Sequence, residues 1–171
     1  MAERALLAQE LPDGSYSVRQ SQWGGSDRAL AAVCAGTPPA ALPDVEWHNT
    51  TAYHSFRAVV ASLDVLTTAA CYRVVDGDVT VFLPLWFGLP LADVRASPTI
   101  GALVAVDSLA EVRAIRWWFR SVKGRVADAV LAGDISWSGA VTALAASIDT
   151  IPSRERYLCS SGTAERLSAR E

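Results

Sequence analysis

Four basic residues and a tryptophan recur at helical spacing in the second half of the chain. In order, the residues are Arg113, Arg116, Trp117, Arg120 and Lys123. Because residues three and four positions apart share a helix face, the pattern predicts a basic stripe that includes an indole. Guanidinium groups bind phosphate and an indole stacks on a base, so the stripe is a candidate interface for nucleic acid. The alternative is a solvated helix face on which the Arg side chains cover Trp117.

Two further candidates are aromatic residues that stand beside glycine. Trp86 and Phe87 precede Gly88 at the end of a predicted strand, and Trp23 precedes Gly24 at the end of another. Large aromatic side chains in such places line a ligand pocket or form the centre of a protein interface. The alternative is that they close the hydrophobic core. Tryptophan is over-represented, with six copies, and this surplus favours a binding surface built on Trp23, Trp86 and Phe87.

Residue patterns typical of enzymes and metal sites are not found in the sequence. His48 and His54 are six positions apart and share no helix face, and the three cysteines form no C-x-x-C pair. The segment 133–139 resembles a nucleophile elbow only superficially, because its spacing differs. The chain also lacks a Walker A motif. We therefore predict no metal, no cofactor and no catalytic residue, which favours a binding protein over an enzyme.

Length, charge and hydropathy limit the remaining classes. A chain of 171 residues, 51% of them apolar, suits a single domain, so we expect one domain over 1–171 with a frayed segment at 161–171. The net charge of -3 excludes nucleic-acid binding through bulk charge alone. Charged residues near the N-terminus exclude a secretory signal, and Pro84 and Pro90 interrupt the longest apolar segment. We expect a cytoplasmic protein that does not bind membranes.

Hydrophobic periodicity and turn residues predict the elements that position these side chains. Apolar and β-branched segments predict strands, including two hairpins, at 5–8, 16–22, 67–75, 79–87, 102–106 and 157–159. Capping residues and apolar spacing predict helices at 26–35, 51–63, 109–132 and 138–148, with a proline-rich loop at 37–51. This order predicts an α+β two-layer sandwich. Its mainly antiparallel sheet has about five or six strands, packed by a long helix and shorter helices.

Two local signals concern the candidate residues directly. Ser108 and Glu111 form a capping box, so the long helix that carries the basic stripe begins at residue 109. Pro84 lies inside the predicted strand 79–87. Because proline has no N–H to donate to a neighbouring strand, we expect a bulge or a strand edge at this position.

Three motifs resemble those of a group of haloarchaeal proteins of uncharacterised function. The first is the opening segment, with Arg4-Ala5-Leu6-Leu7, Pro12-Asp13-Gly14-Ser15-Tyr16 and Ser21-Gln22-Trp23-Gly24-Gly25. The others are Pro84-Leu85-Trp86-Phe87-Gly88-Leu89 and Arg116-Trp117-Trp118-Phe119-Arg120. The resemblance extends over most of the chain between residues 4 and 132. It implies a haloarchaeal source and a shared fold, and it implies no particular activity.

The sequence thus predicts a small non-enzymatic module that binds a protein or a small ligand. Its candidate binding residues are Trp23, Trp86, Phe87, Arg113, Arg116, Trp117, Arg120 and Lys123. The alternative is a nucleic-acid-associated protein that uses the Arg and Trp face of the long helix, residues 109–132. The first hypothesis needs a binding surface shaped by Trp23 and Trp86, and the second needs an open basic helix. A third hypothesis, an enzyme with a pocket near Trp86, needs several polar or titratable groups that converge in one cleft.

Overall fold

A single mixed β-sheet organises the chain in the computed structural model, which describes residues 3–89, 91, 97–152, 155–160 and 163–167. The strands are β1 Arg4–Glu10, β2 Tyr16–Ser21, β3 His48–Tyr53, β4 Thr68–Val75, β5 Asp78–Trp86, β6 Gly101–Val106, β7 Arg156–Ser160 and β8 Thr163–Leu167. Their order across the sheet is β3-β2-β1-β4-β5-β6-β7-β8. The described residues therefore form eight strands of one sheet, more than the five or six predicted.

Pairing within the sheet is antiparallel except between β1 and β4, which run parallel. The α+β class and both predicted hairpins, β1–β2 and β4–β5, are confirmed. The parallel pair was not predicted, because its strands are separated by more than 50 residues of chain and no tight turn connects them. This pair places the start of β4 in the middle of the sheet.

Three helices cover one face of the sheet. They are α1 Asp27–Cys34, α3 Leu109–Leu131 and α4 Trp137–Ile148, close to the bounds predicted from periodicity. Their apolar side chains pack against the central strands β1, β4, β5 and β6; Leu30, Val112, Phe119 and Leu144 are examples of buried members of this core. Burial of these side chains fixes α3 along the sheet, so its polar face has a defined orientation.

The opposite face carries the short helix α2 Phe56–Ala61. Its residues Phe56, Val59 and Val60 form a second core with side chains from both halves of the sheet, among them Tyr16 and Tyr157. The helix contacts β2 and β3 near one end of the strand order and β7 and β8 at the other. The sheet therefore curls around α2, and the two-layer prediction is wrong because helices cover both faces.

Two segments differ from their predicted secondary structure. The predicted loop 37–51 contains a 3₁₀ turn, Pro39–Ala41, and the start of β3, while the predicted helix 51–63 is reduced to α2. Tyr53 and Phe56 have the spacing of one helix face, but Tyr53 is the last residue of β3 and Phe56 is the first residue of α2. The helix begins only after Ser55, whose Oγ accepts the backbone N–H of Ala58 at 3.2 Å. Within the segment 161–171, which was expected to be frayed, the structure describes only 163–167, as strand β8; the other residues lie outside the described part of the chain.

Helix α3 begins where the capping box predicted. Ser108 Oγ accepts the backbone N–H of Glu111 at 3.2 Å, and the Glu111 carboxylate accepts that of Asp107 at 2.8 Å. These bonds satisfy backbone donors at the helix start. Within the described part of the chain, no helix combines the length and apolar character that crossing a membrane requires.

Strands β4 and β5 separate towards the start of β4. They pair only as far as Cys71 and Phe82, whereas β5 continues to pair with β6 up to Trp86. Pro84 lies in this one-sided stretch, which confirms the strand edge predicted there. On the other side of the gap, the first residues of β4 pair with β1. A gap therefore opens between the start of β4 and the end of β5, beside α3.

Candidate functional site

The gap between β4 and β5 forms a groove with a volume of about 710 Å³. One wall is the segment 65–69 at the start of β4, a second is 84–89 at the end of β5, and helix α3 supplies residues of 116–124. This volume lies within the usual range for small-molecule sites, about 300–1,000 Å³. The groove also brings together two separate sequence candidates, Trp86 and the basic residues Arg116, Arg120 and Lys123.

Lys123 is a half-buried cation in the groove wall. Its Nζ donates to the backbone oxygen of Trp86 at 3.2 Å and lies 4.8 Å from the centre of the Trp86 ring. Among the described residues it forms no ion pair with a carboxylate. Burial lowers the pKa of this ammonium group. An anion in the groove would offset the cost of this partly desolvated charge.

The Trp86 side chain is held in place from several directions. Its indole N–H donates to the backbone oxygen of Ser97 at 3.1 Å. A Cβ on Gly88 would overlap three consecutive atoms of its six-membered ring to similar extents, so the Gly88 backbone lies against the ring face. Glycine is required there because any side chain would displace the indole. Together with the Lys123 ammonium, these contacts fix Trp86 as a rigid part of the groove.

Arg116 enters the groove from a different electrostatic setting. Its guanidinium donates to Asp27 at 3.3 Å and to the backbone oxygen of Ala69 at 3.4 Å. Asp27 also accepts from Arg113 at 2.9 Å, and these two Arg side chains, Arg113 first, hold the pKa of the Asp27 carboxyl below its usual range. One carboxylate thus partly neutralises two cations of the basic stripe and ties α1 to α3.

Arg120 is the exposed cation of the groove. In the described part of the chain, no hydrogen bond or ion pair engages its guanidinium. Glu3 is the acidic residue of the described lining. The groove therefore offers two cations, Arg120 and Lys123, that have no carboxylate partner among the described residues. They lie four and seven residues after Arg116 on α3.

The rest of the groove is mainly apolar. Val65, Leu85 and Leu89 are buried, and Leu66 remains 50% exposed at the rim. Thr67 and Thr68 lie on the same wall. The arrangement is a chemically divided site, with positive charge on the helix side and aliphatic surface on the strand side.

The remaining sequence candidates lie outside the groove lining. Phe87 is buried and its ring centre is 6.0 Å from that of Phe119, so it supports the wall from the core. Trp117 is 71% exposed. Trp23 is 58% exposed and borders a separate depression that contains the acidic residues Asp44 and Glu46. The structure therefore divides the predicted binding residues between a groove, a core and two exposed surfaces.

Sequence reasoning missed one wall of the groove, the segment 65–69. Residues 67–69 were interpreted only as the beginning of the strand 67–75, and residues 65 and 66 had no interpretation. The position of this segment in the groove depends on the parallel pairing of β1 with β4. The one available signal was Pro84, which marked the free edge of β5.

Comparisons with known proteins leave the site to be interpreted from its own geometry. No protein-family model, no curated protein and no solved structure matches the chain. The resemblance to haloarchaeal proteins therefore stays a prediction. Within the described residues, no group of three or more His, Cys, Asp or Glu side chains is placed to hold a metal ion.

Proposed function

We propose that this protein is a small binding module whose groove takes a small organic anion. The observation that carries the proposal is Lys123, a half-buried ammonium group in the wall of a 710 Å³ groove with no carboxylate partner among the described residues. A partly desolvated charge is costly unless it is neutralised. The exposed Arg120 on the same helix adds a second positive group, so an anionic ligand would be complementary to this wall.

Binding is proposed rather than catalysis because of what faces the groove. Among the described residues, its titratable side chains are Glu3, Arg116, Arg120 and Lys123, and none of these forms a hydrogen-bonded acid–base pair with another, as a catalytic pair would. The buried thiols Cys71 and Cys159, whose pKa values burial raises to about 12, suit a reducing compartment. A cytoplasmic location is part of the proposal.

Nucleic-acid association is the second candidate, and Trp117 is the observation that favours it. This residue is 71% exposed on the same helix as Arg120, as a stacking platform would be. Asp27 already pairs with Arg113 and Arg116, which leaves less free charge for phosphates. Oligonucleotide binding that falls steeply with salt and is lost in Trp117→Ala would favour this candidate over the first.

The groove proposal is tested by mapping backbone amide shifts while organic anions are added to ¹⁵N-labelled protein. The probes are decanoate, 2-naphthoate and AMP, each at millimolar concentration. We expect at least one to shift amides of 65–69, 85–89 and 116–124. Lys123→Met and Arg120→Gln should each weaken that binding about tenfold, because each removes a charge-assisted contact.

Arg125→Gln is the matched control, since it removes the same charge from an exposed position of α3 outside the groove lining. This variant should bind as the wild type does. The proposal is wrong if none of the anions shifts the groove amides. It is also wrong if Lys123→Met and Arg120→Gln bind as tightly as Arg125→Gln.

A further inference from the structure

We infer that the ligand of the groove is an anionic amphiphile, with a carboxylate or phosphate head and an unbranched alkyl chain. This inference rests on the proposed function and adds the chemical class of the ligand. Three features of the groove support it: the occupied surface of Trp86, the aliphatic strand wall, and the position of the free positive charges.

The groove's indole is poorly placed to stack on a flat ligand. The Gly88 backbone lies against the face of the six-membered ring of Trp86. The Lys123 ammonium lies 4.8 Å from the ring centre, and the indole N–H is bonded to Ser97. Stacking on a base or an arene needs a free ring face. A nucleotide or aromatic acid would have to displace these contacts, whereas an alkyl chain would leave them intact.

The strand side of the groove is mainly aliphatic, with Thr67 and Thr68 as its polar side chains. Val65, Leu66, Pro84, Leu85 and Leu89 line it. Such a surface is complementary to methylene groups and provides few directional polar contacts for a sugar or a heterocycle. Leu66 is half exposed at the rim, so a chain laid along this wall would cover apolar surface that now faces water.

Positive charge is concentrated on the helix side of the groove. Arg116 is engaged by Asp27 and the Ala69 backbone, while Arg120 and Lys123 have no carboxylate partner among the described residues. One compact anionic head would meet both free cations, which are three residues apart on α3. The ligand therefore has its charge at one end and its apolar surface in the remainder.

The test compares ligands that change one property at a time, in the same amide-shift titration of the whole protein. Hexanoate, octanoate and decanoate vary chain length at constant charge. Decanol and decyltrimethylammonium keep the chain and remove or invert the charge. We expect affinity to rise about fourfold for each added methylene, the factor that full burial would give. Decyl phosphate should bind, and decanol and decyltrimethylammonium should bind at least about tenfold more weakly than decanoate.

A pair of leucine variants assigns the chain to the strand wall. Leu66→Gln should weaken decanoate binding about fivefold and change hexanoate binding less, because a longer chain covers more of the rim. Leu131→Gln is the matched control, since Leu131 is 72% exposed at the end of α3 and lies outside the groove lining. It should bind decanoate as the wild type does.

The outcomes separate this inference from the proposed function. If 2-naphthoate or AMP binds in the groove more tightly than decanoate, the groove takes anions and the alkyl-chain inference is overturned. Affinity that does not increase with chain length overturns it as well. If no anion of any class binds, the proposed function fails with it. Association with phosphatidylglycerol vesicles without binding of free decanoate would also overturn the inference, because the ligand would then be a membrane surface.

Discussion

Arg73 and Lys123 are both cations set against aromatic rings, yet they differ in how their charge is neutralised. Arg73, on β4, lies 5.1 Å from the ring centre of Phe56 and 5.3 Å from that of Phe82, and pairs with Glu155 at 2.7 Å. Lys123, on α3, lies 4.8 Å from the centre of Trp86 and pairs with no carboxylate of the described residues.

The comparison sets a cation with a structural partner against one that we propose for ligand binding. Both guanidinium ends of Arg73 donate to Glu155, which also accepts from Tyr157. This pair fastens β4 to the start of β7. Lys123 donates instead to a backbone oxygen at the edge of a groove. Arg73 thus has its counter-charge within the fold, whereas no carboxylate of the described residues pairs with Lys123.

The largest effect is expected from removing the counter-charge of Arg73. Glu155→Gln should reduce the free energy of unfolding by about 3 kcal/mol, because it leaves a largely buried guanidinium without its ion pair. Urea denaturation measures the loss. Thr80→Val removes only the 3.3 Å contact to Arg73 and should cost about 1 kcal/mol. Equal losses in the two variants would show that the ion pair is not what stabilises this region.

The next largest effect concerns the rigidity of the groove. Gly88→Ala adds a methyl group that would overlap the Trp86 ring. The ring must therefore move, which should reduce the free energy of unfolding by about 2 kcal/mol. Thermal unfolding gives the stability, and the NMR signal of the Trp86 indole N–H reports its displacement. Gly124→Ala is the control on the facing wall, where a Cβ meets nothing within 4 Å; alanine there should stabilise α3 by up to about 1 kcal/mol.

Lys123→Met sharpens the comparison, because it removes a cation that we regard as dispensable for folding. It gives up a hydrogen bond and a cation–π contact but also relieves a desolvated charge, so the unfolding free energy should stay within about 1 kcal/mol of the wild type. Urea denaturation of Lys123→Met and Glu155→Gln compares their losses of unfolding free energy. A loss as large as that of Glu155→Gln would make Lys123 a structural residue like Arg73.

The smallest effect is expected at Asp27, which pairs with the exposed Arg113 and the half-buried Arg116. Asp27→Asn should cost less than about 1 kcal/mol at neutral pH. The Arg113 guanidinium, with a smaller contribution from Arg116, lowers the Asp27 pKa below its ordinary 3.8. Its stabilising effect is therefore present above pH 3.8 and is lost as the pH falls through the lowered pKa. Unfolding curves of wild type and variant should converge in strong acid; a difference that persists there contradicts the ion-pair explanation.

Local signals predicted most of the secondary structure but only half of the groove. The capping residues Ser108 and Glu111 located α3, and Pro84 marked the free edge of β5. The parallel pairing of β1 with β4 has no local signature, since it depends on packing between distant segments. Without that pairing, Lys123 and Trp86 remained two unrelated candidates. Which carboxylates pair with a given cation is likewise visible only in the folded structure.

The most direct test of the central claim is the pKa of Lys123, measured with and without decanoate. Lys123 is the only lysine in the chain, so selective labelling gives one side-chain NMR signal to follow with pH. In the free protein burial should hold its pKa below the ordinary value of 10.5. Decanoate should raise it, because an anion favours the charged form, and affinity should fall as the pH rises through this pKa. An unchanged pKa under saturating decanoate would contradict the account.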